Sequence, residues 1–302
     1  MEHDFASGNP LSIPMDPGDF SLERTLETGQ SFRHRKLGAG HYLVQASGRV
    51  LELRQEGGRL SAWCAPEEWE ALWKGYFDLD RDYASLQRRL SDKDEHLRRA
   101  IGENRGLRLL RQEPWEMLVT FILSQNNHIP RIKGLVETLC RTYGKPLEWR
   151  GETCWTFPKA KALASATEEE LRELRLGFRA PYVLDAARKV HAGEVDLEGV
   201  AFLEDREALE ALRRIKGVGR KVGDCVLLFG YGRWTVFPAD VWVARVMEHC
   251  YGEAVAREGL QAFAARYFGG EGGYGQQVLF EYARTHKIGI EKKRKIEKNK
   301  EL

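Results

Sequence analysis

The sequence predicts an α+β protein: an antiparallel β-rich N-terminal domain over residues 1–100, a larger all-α domain over 101–287, and a basic C-terminal tail over 288–302. From 31 to 64, "SFRHRKLGAGHYLVQASGRVLELRQEGGRLSAWC" alternates short Val-, Leu- and aromatic-rich segments with "GAG", "SG" and "EGG", the pattern of a meander with tight turns. From about 80 to 286 nearly every segment has helical periodicity, as in "PWEMLVTFILSQ", "IPRIKGLVETLCRTYG", "PYVLDAARKVHAG" and "DVWVARVMEHCYG", and many end at glycine, as helix C-caps do. At 302 residues and 42% hydrophobic, the chain is long enough for two cores.

Composition narrows the function. The N-terminus has no basic segment leading into an apolar one, and apolar runs such as "CVLLFGY" are far too short to cross a bilayer. The expectation is an intracellular monomer without membrane contact, cytoplasmic in a prokaryote or nuclear in a eukaryote. Five cysteines, Cys64, Cys140, Cys154, Cys225 and Cys250, are scattered without a C-x-x-C pair, which supports neither a disulfide framework nor a zinc or iron–sulfur site. Net charge is only +2, from 47 Lys and Arg against 45 Asp and Glu, so local clusters must identify the partner. The tail from Lys287 has seven Lys or Arg against three Glu and reads as a solvated terminus.

The second cluster lies within "LRRIKGVGRKVGDC", where Arg213, Arg214, Lys216, Arg220 and Lys221 occur with no acidic residue from 213 to 221. "REALEALRRI" is an amphipathic helix, "KGVGRK" stops it, and a second helix restarts at about Lys221: a helix–hairpin–helix. Two glycines allow close backbone approach and outward-pointing N–H groups, and the N-terminus of the second helix favours an anion. An isolated G-x-G is only a tight turn; five flanking cations make it a phosphate clamp. Such a clamp positions a protein on DNA without saying what it does there.

Chemistry is suggested by Lys221 with Asp240. A first-turn lysine feels the positive end of the helix dipole and Arg220, both of which disfavour its charged form, and a partly buried amine there is a candidate nucleophile. Asp240, in "TVFPADVWVARVM", follows Pro238 where an apolar segment turns into a helix. Its ordinary role is an N-cap, which would also hold the carboxylate ionised and fixed in direction.

"GVGRKVGDC", followed nineteen residues after Lys221 by the Asp of "FPADVW", resembles the signature of the 8-oxoguanine DNA glycosylases, within the helix–hairpin–helix DNA glycosylase superfamily. "TGQSFRHR", "RLLRQEPWEMLVTFILSQNNHIPRI", "LGFRAPYV" and "GYGQQVLF" look like family segments in the same order, covering most of residues 20 to 285. The resemblance implies a bifunctional glycosylase and lyase acting on double-stranded DNA that contains oxidised guanine, with the damaged nucleotide extruded into a pocket. Lys221 would attack the sugar, Asp240 would stabilise developing positive charge, and no cofactor is required. The Gly29 carbonyl would accept the N7 proton that distinguishes 8-oxoguanine from guanine, Gln276 would read the Watson–Crick edge, and Phe280 and Cys225 would sandwich the ring. Asn126 would fill the gap, Arg131 and Arg179 would read the orphaned cytosine, and Phe178 would act as a wedge. Gly217, Val218, Gly219 and Val222 would meet phosphate, and the carbonyls of Arg213, Ile215 and Val218 would hold a structural monovalent cation.

The sequence departs from animal members at Phe178, where they have tyrosine, at His128 and Pro130 beside the wedge loop, and at Trp242, where they have a histidine. Scattered cysteines exclude the iron–sulfur branch, and Lys221 argues against relatives that remove only alkylated bases. A non-catalytic DNA-binding module and a glycosylase of broader lesion range remain as rivals.

Overall fold

The structure, a computed structural model, describes residues 9–288; most of the basic tail lies outside the described residues. The N-terminal part is an antiparallel five-stranded sheet in the order β1-β5-β4-β3-β2, formed by β1 (Leu11–Pro14), β2 (His34–Gly38), β3 (His41–Ala46), β4 (Arg49–Glu56) and β5 (Arg59–Ala62). Its β2–β5 meander is the one the alternating pattern predicts. β1 lies upstream of that pattern and closes the sheet by pairing with β5, Leu11 opposite Ala62.

The period-2 alternation gives each face of β3 and β4 a separate core. Tyr42, Val44, Leu51 and Leu53 pack against Phe20, Leu22, Trp69, Trp73 and Phe77. On the opposite face Leu43 and Val50 pack against Cys154. Cys154 belongs to a second, two-stranded sheet of β6 (Pro146–Trp149) and β7 (Glu152–Trp155), inside the region whose periodicity reads as helical. Arg150 and Gly151, at φ +48° and +77°, make the two-residue turn between them. Glu52 fastens this hairpin to β4: its carboxylate accepts from Trp149 Nε1 at 3.2 Å and pairs with Arg150 at 3.0 Å.

The larger core is helical. Its central helix, Pro114–Leu123, is buried from Glu116 to Leu123. Each fully buried Leu, Ile, Val, Met or Phe there contributes roughly 1.5–3 kcal/mol. It packs against the Arg220–Tyr231 helix of the hairpin. Leu86, Leu90, Leu97 and Ile101, from the helices Tyr83–Ser91 and Glu95–Glu103, belong to this same helical core. No helix among the described residues is long and apolar enough to cross a membrane.

Candidate active site

Lys221 and Asp240 come from different helices and line one cavity of about 70 Å³, together with Gly29, Phe121, Cys225, Pro238, Gln276 and Phe280. Lys221 is the second residue of the Arg220–Tyr231 helix and is half-buried. Its Nζ donates to Ser124 Oγ at 3.2 Å and lies 5.3 Å from the centroid of the Phe121 ring. Asp240 is the N-cap of the Val241–Glu258 helix, and its Oδ1 accepts from the N–H groups of Trp242 and Val243, both at 2.9 Å. Among the described residues Asp240 has no ion pair with Lys221, so the carboxylate is anchored by backbone and the amine by a hydroxyl.

The cavity wall comes from the Gly272–His286 helix and the 27–30 turn. Gln276 is 5% exposed, and its buried Oε1 has no hydrogen-bond partner. A buried acceptor left unpaired costs about 1–3 kcal/mol, which a bound donor would recover. Read alone, Gln276 resembles a surface glutamine, but helical periodicity turns it inward. Cys225 is buried, and burial pushes its thiol up to about 11 against the opposing influence of nearby Lys221, so the cavity holds a neutral, polarisable sulfur. Phe280 is partly buried against the helical core.

Gly29 stands at φ +74° against Ile129, on a turn fastened from three sides. Gln277 Nε2 donates to the Thr28 carbonyl at 3.0 Å. Gln30 Nε2 donates to the carbonyls of Thr25 and Arg108, both at 2.8 Å, while its Oε1 accepts from Leu110 N–H at 2.8 Å. Gln112 Nε2 donates to the Gln30 carbonyl at 2.8 Å. No local pattern marks Gln30, Gln112 and Gln277, because a lone glutamine reads as solvent-facing. Their signal was position: Gln30 adjoins Gly29 and Gln277 adjoins Gln276.

The segment 124–131 leaves the Pro114–Leu123 helix beside the cavity. Asn126 is exposed at φ +48°, His128 caps the Ile129–Tyr143 helix, and Arg131 is exposed in its first turn. Arg179 differs from Arg131. It is only 4% exposed, and its Nε donates to the Gln125 carbonyl at 2.8 Å and its Nη2 to the Asn126 carbonyl at 2.9 Å. Burial and the neighbouring Arg131 both pull its pKa down. Phe178 is 47% exposed, with the Arg179 guanidinium 4.3 Å from its ring centroid.

The hairpin forms as expected: helix Asp205–Arg213, a turn, and helix Arg220–Tyr231. Gly217 has φ +80° and lies against the Tyr182 ring, which also meets Phe178 edge-on at 6.2 Å. A side chain at 217 would be strained and would strike that ring. Gly219 is the N-cap, without side-chain capping and with open space before it, so the N–H groups of 219 to 222, Val222 included, lack intrahelical acceptors. Val218 differs: its side chain is 5% exposed and its N–H donates to the Ile215 carbonyl at 3.1 Å, which shapes the turn. Two of the five cations are paired, Arg213 with Glu210 at 2.7 Å and Arg220 with Asp224 at 3.4 Å, so the free charge at the hairpin is smaller than the local sequence implies.

Comparison with known proteins agrees along most of the chain. Residues 12–118 match the family model described as 8-oxoguanine DNA glycosylase, N-terminal domain, and residues 119–259 match that of the HhH-GPD superfamily base excision DNA repair proteins. A probable N-glycosylase/DNA lyase of Methanothermobacter thermautotrophicus is 30% identical over 308 residues, covering 91% of this chain and 96% of that protein. A structure of MBOgg1 with a low-affinity DNA ligand is 42% identical with a TM-score of 0.84, covering 89% of this chain and 93% of that one. The Clostridium acetobutylicum 8-oxoguanine glycosylase/lyase, bound to duplex DNA with cytosine opposite 8-oxoguanine, is 36% identical with a TM-score of 0.86 and the same coverage. The chain therefore belongs to the 8-oxoguanine DNA glycosylase family, within the HhH-GPD superfamily of base excision DNA repair proteins.

Proposed function

We propose that this protein is a DNA glycosylase and AP lyase that extrudes 8-oxoguanine lying opposite cytosine, excises it through a Lys221 Schiff base and nicks the strand by β-elimination. The observation that carries the reading is the convergence of Lys221, Asp240, Gly29, Cys225, Gln276 and Phe280 on one cavity, where Gln276 also has a buried, unpaired Oε1. A sugar and base inside a duplex cannot be reached by an amine set in this cavity, so the nucleotide must leave the stack. The Lys221 amine then attacks C1′, the bond to N9 breaks, and the departing base takes up a proton. The Asp240 carboxylate stabilises the positive charge on the sugar during this step; one of its oxygens is held by two backbone N–H groups and needs no reorientation. Opening of the sugar gives the Schiff base, which acidifies C2′, and loss of that proton expels the 3′ phosphate.

Lesion recognition rests on the Gly29 carbonyl as acceptor of the N7 proton, with Gln276 Oε1 accepting from the Watson–Crick edge and Phe280 and Cys225 bracketing the ring. Asn126, Arg131 and Phe178 serve the gap and the orphaned base. Arg179 holds the carbonyls of Gln125 and Asn126 and its Nη1 reaches the Leu176 carbonyl at 3.5 Å, so it would serve the orphaned cytosine through the loop it braces. The N–H groups at Gly219 and Val222 take phosphate, and Gly217 and Val218 shape the approach.

The carbonyls of Arg213, Ile215 and Val218 suit a monovalent cation, being neutral oxygens at the negative end of the Asp205–Arg213 helix. The Ile215 carbonyl keeps a lone pair beyond its bond to Val218, and the Lys189 ammonium already sits on the intervening Arg214 carbonyl at 2.6 Å. A bound cation would brace the hairpin.

The test is strand nicking with 8-oxoguanine opposite each of the four bases. Cutting is expected with cytosine opposite. Salt-sensitive binding without nicking or lesion preference would leave a DNA-binding module.

A further inference from the structure

Ser124 ties the cavity's lysine to the segment that carries Asn126. It is the C-cap of the Pro114–Leu123 helix, and its Oγ–H donates to the Phe121 carbonyl at 2.8 Å. That carbonyl can only accept, so the hydroxyl proton is committed to it. The bond from Lys221 Nζ at 3.2 Å therefore meets a Ser124 oxygen that can accept but cannot donate. An acceptor of this kind holds one N–H of the lysine head and, once the amine has given up its proton, leaves the nitrogen lone pair unmasked. A hydroxyl free to donate would compete for that lone pair, which is the pair that attacks carbon.

The next two residues are those whose carbonyls Arg179 holds, Gln125 and Asn126. Three consecutive residues thus join the amine, through Ser124, to the loop beside Arg131 and Phe178. Ser124 is itself half-buried at a helix end, and the clamp is a 4%-exposed guanidinium.

We propose that Ser124 is a positioning residue that transmits the state of the 125–126 loop to the nucleophile, so that the identity of the opposite base is read in the excision rate as well as in binding. This rests on the function proposed above. With cytosine seated, the loop keeps its clamped position and Ser124 holds the amine; a base that displaces the loop carries Ser124 away from Lys221.

The experiment compares wild type, Ser124→Ala and Ser124→Thr in single-turnover excision of 8-oxoguanine opposite cytosine and opposite adenine, with affinity and thermal melting measured on the same proteins. Loss of one hydrogen bond to the amine is expected to slow excision opposite cytosine about tenfold. Affinity should stay within about twofold, the cytosine-to-adenine rate ratio should shrink by a similar tenfold factor, and Ser124→Thr should restore both rate and ratio. An alanine variant that melts like wild type yet keeps its rate and ratio overturns the proposal, as does equal slowing opposite both bases. If alanine does not fold, the threonine variant decides, since a threonine that folds but fails to keep the ratio also overturns it. Failure of the functional reading is separate: wild type itself would then excise nothing.

Discussion

Asp240 Oδ1 bonds the first turn of the Val241–Glu258 helix while the same side chain lines the cavity that contains Lys221. In the proposed mechanism one carboxylate serves both capping and catalysis, and substitution can separate them. Asparagine caps about as well as aspartate but has no charge. Asp240→Asn is expected to melt like wild type, bind oxidised duplex, and excise on the order of 100-fold more slowly. Asp240→Ala should additionally lose about 1 kcal/mol of stability. Unchanged single-turnover rates in Asp240→Asn would remove the carboxylate from the chemistry.

The two hairpin glycines separate folding from binding. Gly217→Ala puts a methyl group against Tyr182 at a positive φ and should cost roughly 1–3 kcal/mol in thermal or urea unfolding. Gly219 has φ −91° and open space before it, so Gly219→Ala should melt normally. Its methyl group would stand where phosphate approaches, and weaker DNA binding with intact stability is the expected signature. Equal loss of stability in both variants would contradict this division.

Arg131 and Arg179 should separate in the same way. Arg179→Ala removes donors from the Gln125 and Asn126 carbonyls and is expected to cost about 2 kcal/mol and to slow excision opposite cytosine. Arg131→Ala, at an exposed position, should stay within about 0.5 kcal/mol of wild type and lose mainly the preference for cytosine. Melting curves and an opposite-base panel on the two variants check both statements.

Asp224 gives a pH dependence. Its carboxyl is buried, Oδ2 has no hydrogen-bond partner, and Arg220 at 3.4 Å only partly offsets the burial, which pushes the pKa up to about 6, with Asp205 adding to the rise. A folded-state pKa above the unfolded one means that the native protein holds the proton more tightly. Stability is therefore favoured below about pH 4 and declines as pH rises to about 6. Asp224→Asn is expected to be more stable than wild type at pH 7.5, by on the order of 2 kcal/mol, with the difference fading near pH 4. Melting temperatures across that range test the sign.

The hairpin and its flanking helices were legible in the sequence because glycine turns, caps and apolar periodicity are local. Lys221 and Asp240 were legible only as separate features, and family resemblance brought them together. Two elements escaped for physical reasons. β1 is four residues long and draws its order from β5, about fifty residues away, so no local pattern announces it. The β6–β7 hairpin was absorbed into a helical stretch, although an Arg-Gly pair between "PLEW" and "ETCW" is a recognisable hairpin turn. The glutamine brace around Gly29 and the Ser124 contact were hidden because most of the polar partners lie far away in sequence, 97 residues in the case of Lys221 and Ser124.

Borohydride trapping on duplex DNA containing 8-oxoguanine opposite cytosine tests the central claim most directly. Wild type is expected to yield a covalent protein–DNA complex, and Lys221→Gln to yield none while still binding the duplex. Trapping that persists in the Lys221→Gln protein would place the nucleophile elsewhere and contradict the account.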